Sequence, residues 1–226
     1  MWFMIIAVDG PAGAGKGTVS RAIAQYFSLE HIDTGLIYRA LAYKALVEHV
    51  DLTCEDAIIT LAETLKASDL QLPILRAEEV GNAASKIAIL PIVREQLTQH
   101  TRRFCKEVKA PYKGVVLDGR DIGTVVFPDA HIKIFVTACS EVRAARRSAE
   151  MERSGQQFQS NMLAQIKERD LRDQSRTVSP LTPAVDAILL DTSDLTINDA
   201  CQLALSIVMK YQAEHYEQTT IATACR

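Results

Sequence analysis

The chain opens on an uninterrupted apolar run, Phe3–Val8, closed by Asp9. A run this short, with no alternation of polar positions, predicts a strand buried on both faces of a parallel sheet. Val115–Asp118, Ile132–Val136 and Ala187–Leu190 have the same character, and a further short strand fits Glu30–Asp33. Between these runs apolar residues recur at helical spacing. Helices are predicted over Thr18–Phe27, Ile37–Val50, Glu78–Ile89, Ile92–Val108 and Ile197–Tyr211, with Pro91 separating the third from the fourth. Thr53, followed three residues later by Asp56, reads as a helix start. Asp69–Ala77 shows no period and is expected to be irregular, and the polar tail beyond Ala213 is expected to fray.

Strands alternating with helices predict a doubly wound α/β fold, a parallel central sheet flanked by helices. Two helical stretches interrupt the alternation, at about 60–108 and, highly charged, at about 140–176. Open α/β sheets bind ligands beyond the carboxyl ends of their strands, so both stretches are expected to be insertions over the ligand face. The expectation is a single domain, 1–226, carrying two insertions.

Composition narrows the classes. With 226 residues, 48% of them apolar and 23% charged, the chain can bury a core as one globular domain. A net charge of −3 argues against a nucleic-acid partner but leaves room for a local basic cleft around a small anion. The cysteines, Cys54, Cys105, Cys139, Cys201 and Cys225, are scattered, odd in number and without a C-x-x-C pair. Neither a disulfide framework nor a zinc site is expected, and a reducing compartment fits. The N-terminus lacks a basic leader and no apolar run approaches the ~18 residues of a membrane span, so a cytoplasmic location is expected.

The strongest chemical signal follows the first strand: Gly10-Pro11-Ala12-Gly13-Ala14-Gly15-Lys16-Gly17-Thr18. It matches the phosphate loop G-x-x-x-x-G-K in the required place, between a predicted strand and a predicted helix. A triphosphate needs many short donors. Glycines let the backbone N–H groups form an anion nest, the helix N-terminus adds partial positive charge, and Lys16 supplies a mobile cation. Gly17 stands where most such loops carry the hydroxyl that holds Mg²⁺, and the hydroxyl comes one residue later at Thr18, a weak metal ligand acting through water. The Gly-Lys-Gly-Thr form resembles the nucleoside monophosphate kinases.

Three further constellations stand out. Asp33-Thr34-Gly35 opens a helix that carries Arg39, with Thr34 a plausible N-cap. Asp118-Gly-Arg120-Asp121-Ile-Gly123 crowds three charges and two glycines directly behind a buried strand, where Asp118 could hold a Mg²⁺-bound water. Arg169, Arg172 and Arg176 recur at helical spacing with Asp173 on the same face. That face reads either as solvated intrahelical ion pairs or as a bidentate phosphate clamp.

Taken together, the phosphate loop, Asn82-Ala-Ala-Ser85, Asp118–Pro128 and Glu168–Asp173 resemble the bacterial cytidylate kinases over about Ile5 to Tyr211. The resemblance implies a P-loop fold of the nucleoside monophosphate kinase type. The insertion at 60–108 would bind the monophosphate and the one at 140–176 would be a lid. It implies ATP-dependent phosphorylation of CMP and dCMP with Mg²⁺, by a monomer. Ser85, Arg94 and Asp121 would read the cytosine, with Asp121 accepting from the exocyclic amine. Thr34, Arg39, Arg120 and Arg176 would hold the acceptor phosphate, and Arg169 and Asp173 the sugar. The stretch between Leu65 and Glu79 is shorter than the corresponding insertion of longer bacterial members.

An acceptor phosphate is already ionised at neutral pH, so catalysis is expected to be positioning and charge neutralisation rather than base catalysis. Lys16 and Arg120, with Arg146, Arg147 and Arg153 as lid arginines, are the candidate catalytic groups. The alternatives are a related kinase acting on UMP, AMP or shikimate, or a P-loop ATPase or switch. The guanine-reading Asn-Lys-x-Asp of a GTP switch is missing from the chain.

Overall fold

A computed structural model describes residues 3–153 and 161–224. Five strands form one sheet: β1 (Met4–Asp9), β2 (Glu30–Asp33), β3 (Gly114–Gly119), β4 (Ile132–Thr137) and β5 (Ile188–Asp191). Their order is β2-β3-β1-β4-β5, and every neighbouring pair is parallel. β1 is central, paired with β3 on one side (Ile6↔Val116) and β4 on the other (Ile6↔Ile132). The chain order reverses there, so the carboxyl end of β1 faces the crevice where such sheets bind ligands.

Alternate residues of the central strands feed two cores. Ile6, Val8, Val116, Ile134 and Val136 pack with α1 (Lys16–Phe27) and α8 (Ile197–Ala224) on one face. Ala7, Val115 and Leu117 pack on the other with Ile122, Val126 and Cys105. A third cluster joins α2 (Thr34–Val47), α3 (Glu55–Glu63), α4 (Glu78–Ile87) and α5 (Pro91–Glu107) into a helical lobe beside the sheet. The charged stretch is two helices, α6 (Ser140–Arg153) and α7 (Met162–Gln174), packed through Ala144, Met151, Met162 and Ile166. Residues 154–160 of that stretch lie outside the described residues.

The strands and most helices fall where the apolar pattern predicts, and the departures have local causes. α2 starts at Thr34 rather than Ile37 and stops at Val47 rather than Val50. Thr34 is not its N-cap: Asp33 takes that place, and the Thr34 hydroxyl donates instead to Asp118 O at 2.8 Å. α3 is capped by Cys54, because Thr53 is engaged by the Asp51 carboxylate through both its N–H (2.9 Å) and its hydroxyl (2.8 Å). The stretch expected to be irregular holds two short 3₁₀ turns, Ala67–Gln71 and Pro73–Arg76. The tail is not irregular from Ala213: the backbone of α8 continues to Ala224. Ile122–Val126 forms a wide π-helical turn that periodicity does not predict.

Candidate active site

The phosphate loop leaves β1 through Gly10. A Cβ there would lie 1.9 Å from the Val136 carbonyl oxygen of β4, so only glycine lets the loop turn away from the sheet. Gly15 caps α1 in the left-handed region, φ 92°, and directs the helix N-terminus into the loop. Lys16 is buried, and its Nζ donates to Pro11 O at 2.8 Å across the loop. Burial, with Arg120 and Arg169 adding repulsion, pushes its amine down to about 7, although Asp118 and Asp33 oppose this. Those two carboxylates are register partners at the ends of β3 and β2. Burial and the neighbouring Asp118 raise the pKa of Asp33, while His31 Nε2 donates to Asp118 Oδ1 at 2.6 Å.

The nine residues that the resemblance implies for the acceptor nucleotide line one cavity, with Tyr38 and Gly119 among its walls. At one end Arg94 Nη2 donates to Asp121 Oδ2 at 2.5 Å, and its Nη1 to Ala88 O at 3.1 Å. The guanidinium stands over the Tyr38 ring, 5.6 Å from its centroid. Burial works against the Arg94 charge, yet Tyr38 and Asp121 hold it above the usual range. The Ser85 hydroxyl is buried beside this pair and bonds to nothing among the described residues. Gly81 lies against Arg39, where a Cβ would come within 2.7 Å of the guanidinium. Arg39 itself is fixed by Leu75 O at 2.6 Å and Ala77 O at 3.2 Å, so the short 3₁₀ stretch serves to aim it.

Asp173 organises the other end. Arg120 Nε donates to its Oδ2 at 2.8 Å, and Arg176 Nη2 donates to its Oδ1. Burial opposes the charge of Asp173, but Arg120, Arg176 and Arg169 keep its carboxyl below the usual range. Burial and Arg120 lower the Arg169 guanidinium to about 9. Arg169 Nε and Arg176 Nε and Nη1 have no partner among the described residues. Buried, unpaired guanidinium N–H groups around one carboxylate form a field that a dianion would complete. Arg172 takes no part: it pairs with Glu168 at 3.7 Å. Nor do the three arginines share a helix face, because α7 stops at Gln174 and Arg176 lies beyond its end.

The three arginines expected in a lid line a different cavity, of about 410 Å³. Arg146, Arg147 and Arg153 face the phosphate-loop residues Gly13, Gly15 and Thr18, with Thr192, Thr196, Ile197 and Ala200 closing the far wall. Arg146 is held by Thr192 Oγ1 (2.9 Å) and Thr192 O (2.6 Å), and Arg153 Nε donates to Ala149 O at 3.0 Å. Arg147 donates to Glu78 Oε2 at 2.8 Å and so ties α6 to α4 across the cleft.

Two further buried charges stand at the site, and the contacts they make are not legible in the sequence. Arg143 forks onto Asp170 (3.0 and 2.6 Å) and donates to Ala12 O at 3.1 Å, fastening α6 and α7 to the phosphate loop. Asp9 accepts from Ile122 N–H and Gly123 N–H. Neither contact has a sequence signal, because each joins residues far apart in the chain. Among the described residues no helix is long and apolar enough to cross a membrane.

Comparison with known proteins agrees with the geometry. A family model described as Cytidylate kinase matches residues 6–210. The protein named cytidylate kinase from Cereibacter sphaeroides (strain KD131 / KCTC 12085) is 46% identical over 213 residues, which cover 94% of this chain and 98% of that one. The Mesorhizobium japonicum protein of the same name is 49% identical over 205 residues, 90% of this chain and 93% of that one. The Salmonella choleraesuis protein so named is 46% identical over 218 residues, 89% and 93% of the two chains.

Proposed function

Because this chain belongs to the cytidylate kinase family, we infer that it is a nucleoside monophosphate kinase that transfers the γ-phosphoryl group of ATP to CMP, with dCMP as a second acceptor. What supports the reading most is the single cavity that collects Ser85, Arg94 and Asp121 at one end and Arg39, Arg120 and Arg176 around Asp173 at the other. A neutral, edge-polar base suits the first end and a phosphate the second. Asp121 accepts from the exocyclic amine of cytosine and Arg94 donates to its carbonyl edge. Ser85 gains the partner its buried hydroxyl needs. Thr34, Arg39, Arg120 and Arg176 clamp the acceptor phosphate, and Arg169 and Asp173 hold the sugar.

The donor phosphates lie in the nest of Gly10–Thr18, with Lys16 on the β- and γ-groups. An acceptor phosphate oxygen attacks the γ-phosphorus in line, its bond to the bridging oxygen breaks, and ADP carries away the electron pair. Lys16, Arg120, Arg147 and the remaining lid arginines, Arg146 and Arg153, offset the charge gathered between two anions. The crowded carboxylates of Asp33 and Asp118 beside Lys16 suit a hydrated divalent cation, which they would hold through water with Thr18. Mg²⁺ bound there supplies charge neutralisation between the two nucleotides. The 60–108 insertion closes over the acceptor and the 140–176 lid over the donor phosphates, excluding water as a competing nucleophile. The protein acts as a monomer in the cytoplasm.

The test is ADP release from Mg²⁺-ATP with CMP, dCMP, UMP, AMP or no acceptor. Fast turnover with CMP and dCMP, slower turnover with UMP and near-background rates with AMP and with no acceptor are expected. AMP turnover matching CMP would overturn the acceptor assignment, and equal ATP hydrolysis without acceptor would remove the lid.

Burial of Lys16 has a measurable consequence. With its amine pushed down to about 7, the free protein at pH 8 holds Lys16 mostly neutral, while a bound triphosphate restores its charge. ATP binding at pH 8 should therefore take up approaching one proton, and binding at pH 6, where Lys16 is already charged, much less from this source. Calorimetry in buffers of different ionisation enthalpy reads the uptake, and its absence at pH 8 would show that Lys16 is charged before ATP arrives.

A further inference from the structure

The wide turn Ile122–Val126 follows directly on Asp121, and its first N–H groups need partners like those of any helical turn. Asp121 is the residue placed to cap it, but its side chain is turned away to Arg94 at 2.5 Å and makes no capping bond. The cap comes from another strand. Asp9 Oδ1 accepts from Ile122 N–H at 2.8 Å and Asp9 Oδ2 from Gly123 N–H at 2.7 Å. Asp9 is the last residue of β1, next to Gly10 of the phosphate loop, and is only 5% exposed. At the far end of the turn Arg102 of α5 donates to Val126 O at 2.9 Å and Val125 O at 3.0 Å. The turn is thus held at both ends by charges from outside it, and Asp121 stays free to face the acceptor cavity.

We propose that Asp9 is a positioning residue for recognition of the acceptor base: by capping the turn at Ile122 and Gly123 from the end of β1, it fixes where Asp121 and Arg94 stand. This rests on the reading of Asp121 and Arg94 as base contacts. Asp9 is not among the residues that line the acceptor cavity, so its influence passes through the backbone of the turn. The arrangement ties the strand that carries the phosphate loop to the residues that read the base, with a side chain that only a buried, doubly bonded carboxylate can supply. The cost of that burial is visible in the carboxyl itself: desolvation raises it to about 6, against the two N–H bonds that lower it, with Asp121 raising it further and Lys16 lowering it.

The test is Asp9→Asn, which keeps the shape but sets an NH₂ group against one of the two N–H donors. Steady-state kinetics with CMP and UMP and equilibrium binding of a fluorescent ATP analogue are measured together. The expected result is a roughly tenfold rise in KM for CMP, a several-fold fall in the ratio of kcat/KM for CMP over UMP, and ATP-analogue affinity within about threefold of wild type. An unchanged CMP/UMP ratio, or equal losses for both acceptors accompanied by loss of ATP binding, overturns the proposal. Asp121→Asn is run in parallel. If Asp121→Asn leaves the ratio unchanged, the base assignment itself fails. If it lowers the ratio and Asp9→Asn does not, only the role of Asp9 fails. Amide hydrogen exchange on the wild-type protein is a check that needs no variant to fold: the Ile122 and Gly123 amides should be protected at least 100-fold, and free exchange at both overturns the cap.

Discussion

Replacing Lys16 by alanine is expected to lower kcat by about 10²–10³-fold while leaving KM for CMP within about threefold. The size follows from what the group does. Removing one preorganised donor from a charge-developing transition state costs about 2.7–4 kcal/mol. A unit charge at ~4 Å and an effective dielectric of ~20 is worth about 4 kcal/mol, so the two lines agree. The selectivity follows from position. Lys16 lies in the phosphate loop, folded onto Pro11 O, and is not among the residues that line the acceptor cavity. Its loss should therefore fall on the transferring phosphoryl and not on the acceptor already bound. Lys16→Arg should not restore the rate, since a planar fork cannot occupy the space of a compact ammonium folded against a loop carbonyl. A drop below tenfold, or a KM for CMP that rises as far as kcat falls, would mean that Lys16 is not on the reacting phosphate.

How far the sequence reads through to this site depends on whether the signal is local. The phosphate loop is legible because one stretch carries the strand end, the glycines that make the turn and the helix N-terminus, and nothing distant is needed. The proposed acceptor residues rest on resemblance, not on spacing: on spacing alone Arg169, Arg172 and Arg176 read equally as a solvated face. The structure separates them: Arg172 is left to Glu168, Arg169 lines the cavity with Asp173, and Arg176 reaches Asp173 from beyond the end of α7. The cap on α2 departs from the sequence expectation for a related reason. The Thr34 hydroxyl had a partner 84 residues away, Asp118 O, that no local rule can weigh. Arg143 and Asp9 are the extreme cases. Both are buried charges whose partners are set by which strands and helices come to lie side by side, 131 residues apart for Arg143 and Ala12 and 113 for Asp9 and Ile122. Thr192, Thr196 and Ile197, which wall the cavity beside the phosphate loop, carry no motif in the sequence.

Arg94→Ala is expected to be the most destabilising change at the site, because it breaks a buried ion pair from one side only. Arg94 and Asp121 are 4% and 8% exposed as side chains and 2.5 Å apart. Deleting the arginine leaves the carboxylate of Asp121 without its partner, in a region that already holds the buried carboxyl of Asp9. Stranding one member of such a pair costs about 3–5 kcal/mol, far more than the pair itself contributes net. In urea the midpoint should fall with an unchanged slope, the signature of lost stability without a change in the surface exposed. The double variant Arg94→Ala with Asp121→Ala should recover part of that loss, since it removes the stranded charge along with the pair. Catalytically the two variants should look alike, both losing the preference for CMP over UMP, because the base end needs both groups. Stability and specificity then part company: the second substitution repairs one and not the other. If the single variant loses less than about 1 kcal/mol, water reaches Asp121 and the pair is not a buried one. If the double variant is the less stable of the two, the aspartate is sustained by its other neighbours and Arg94 serves the base rather than the fold.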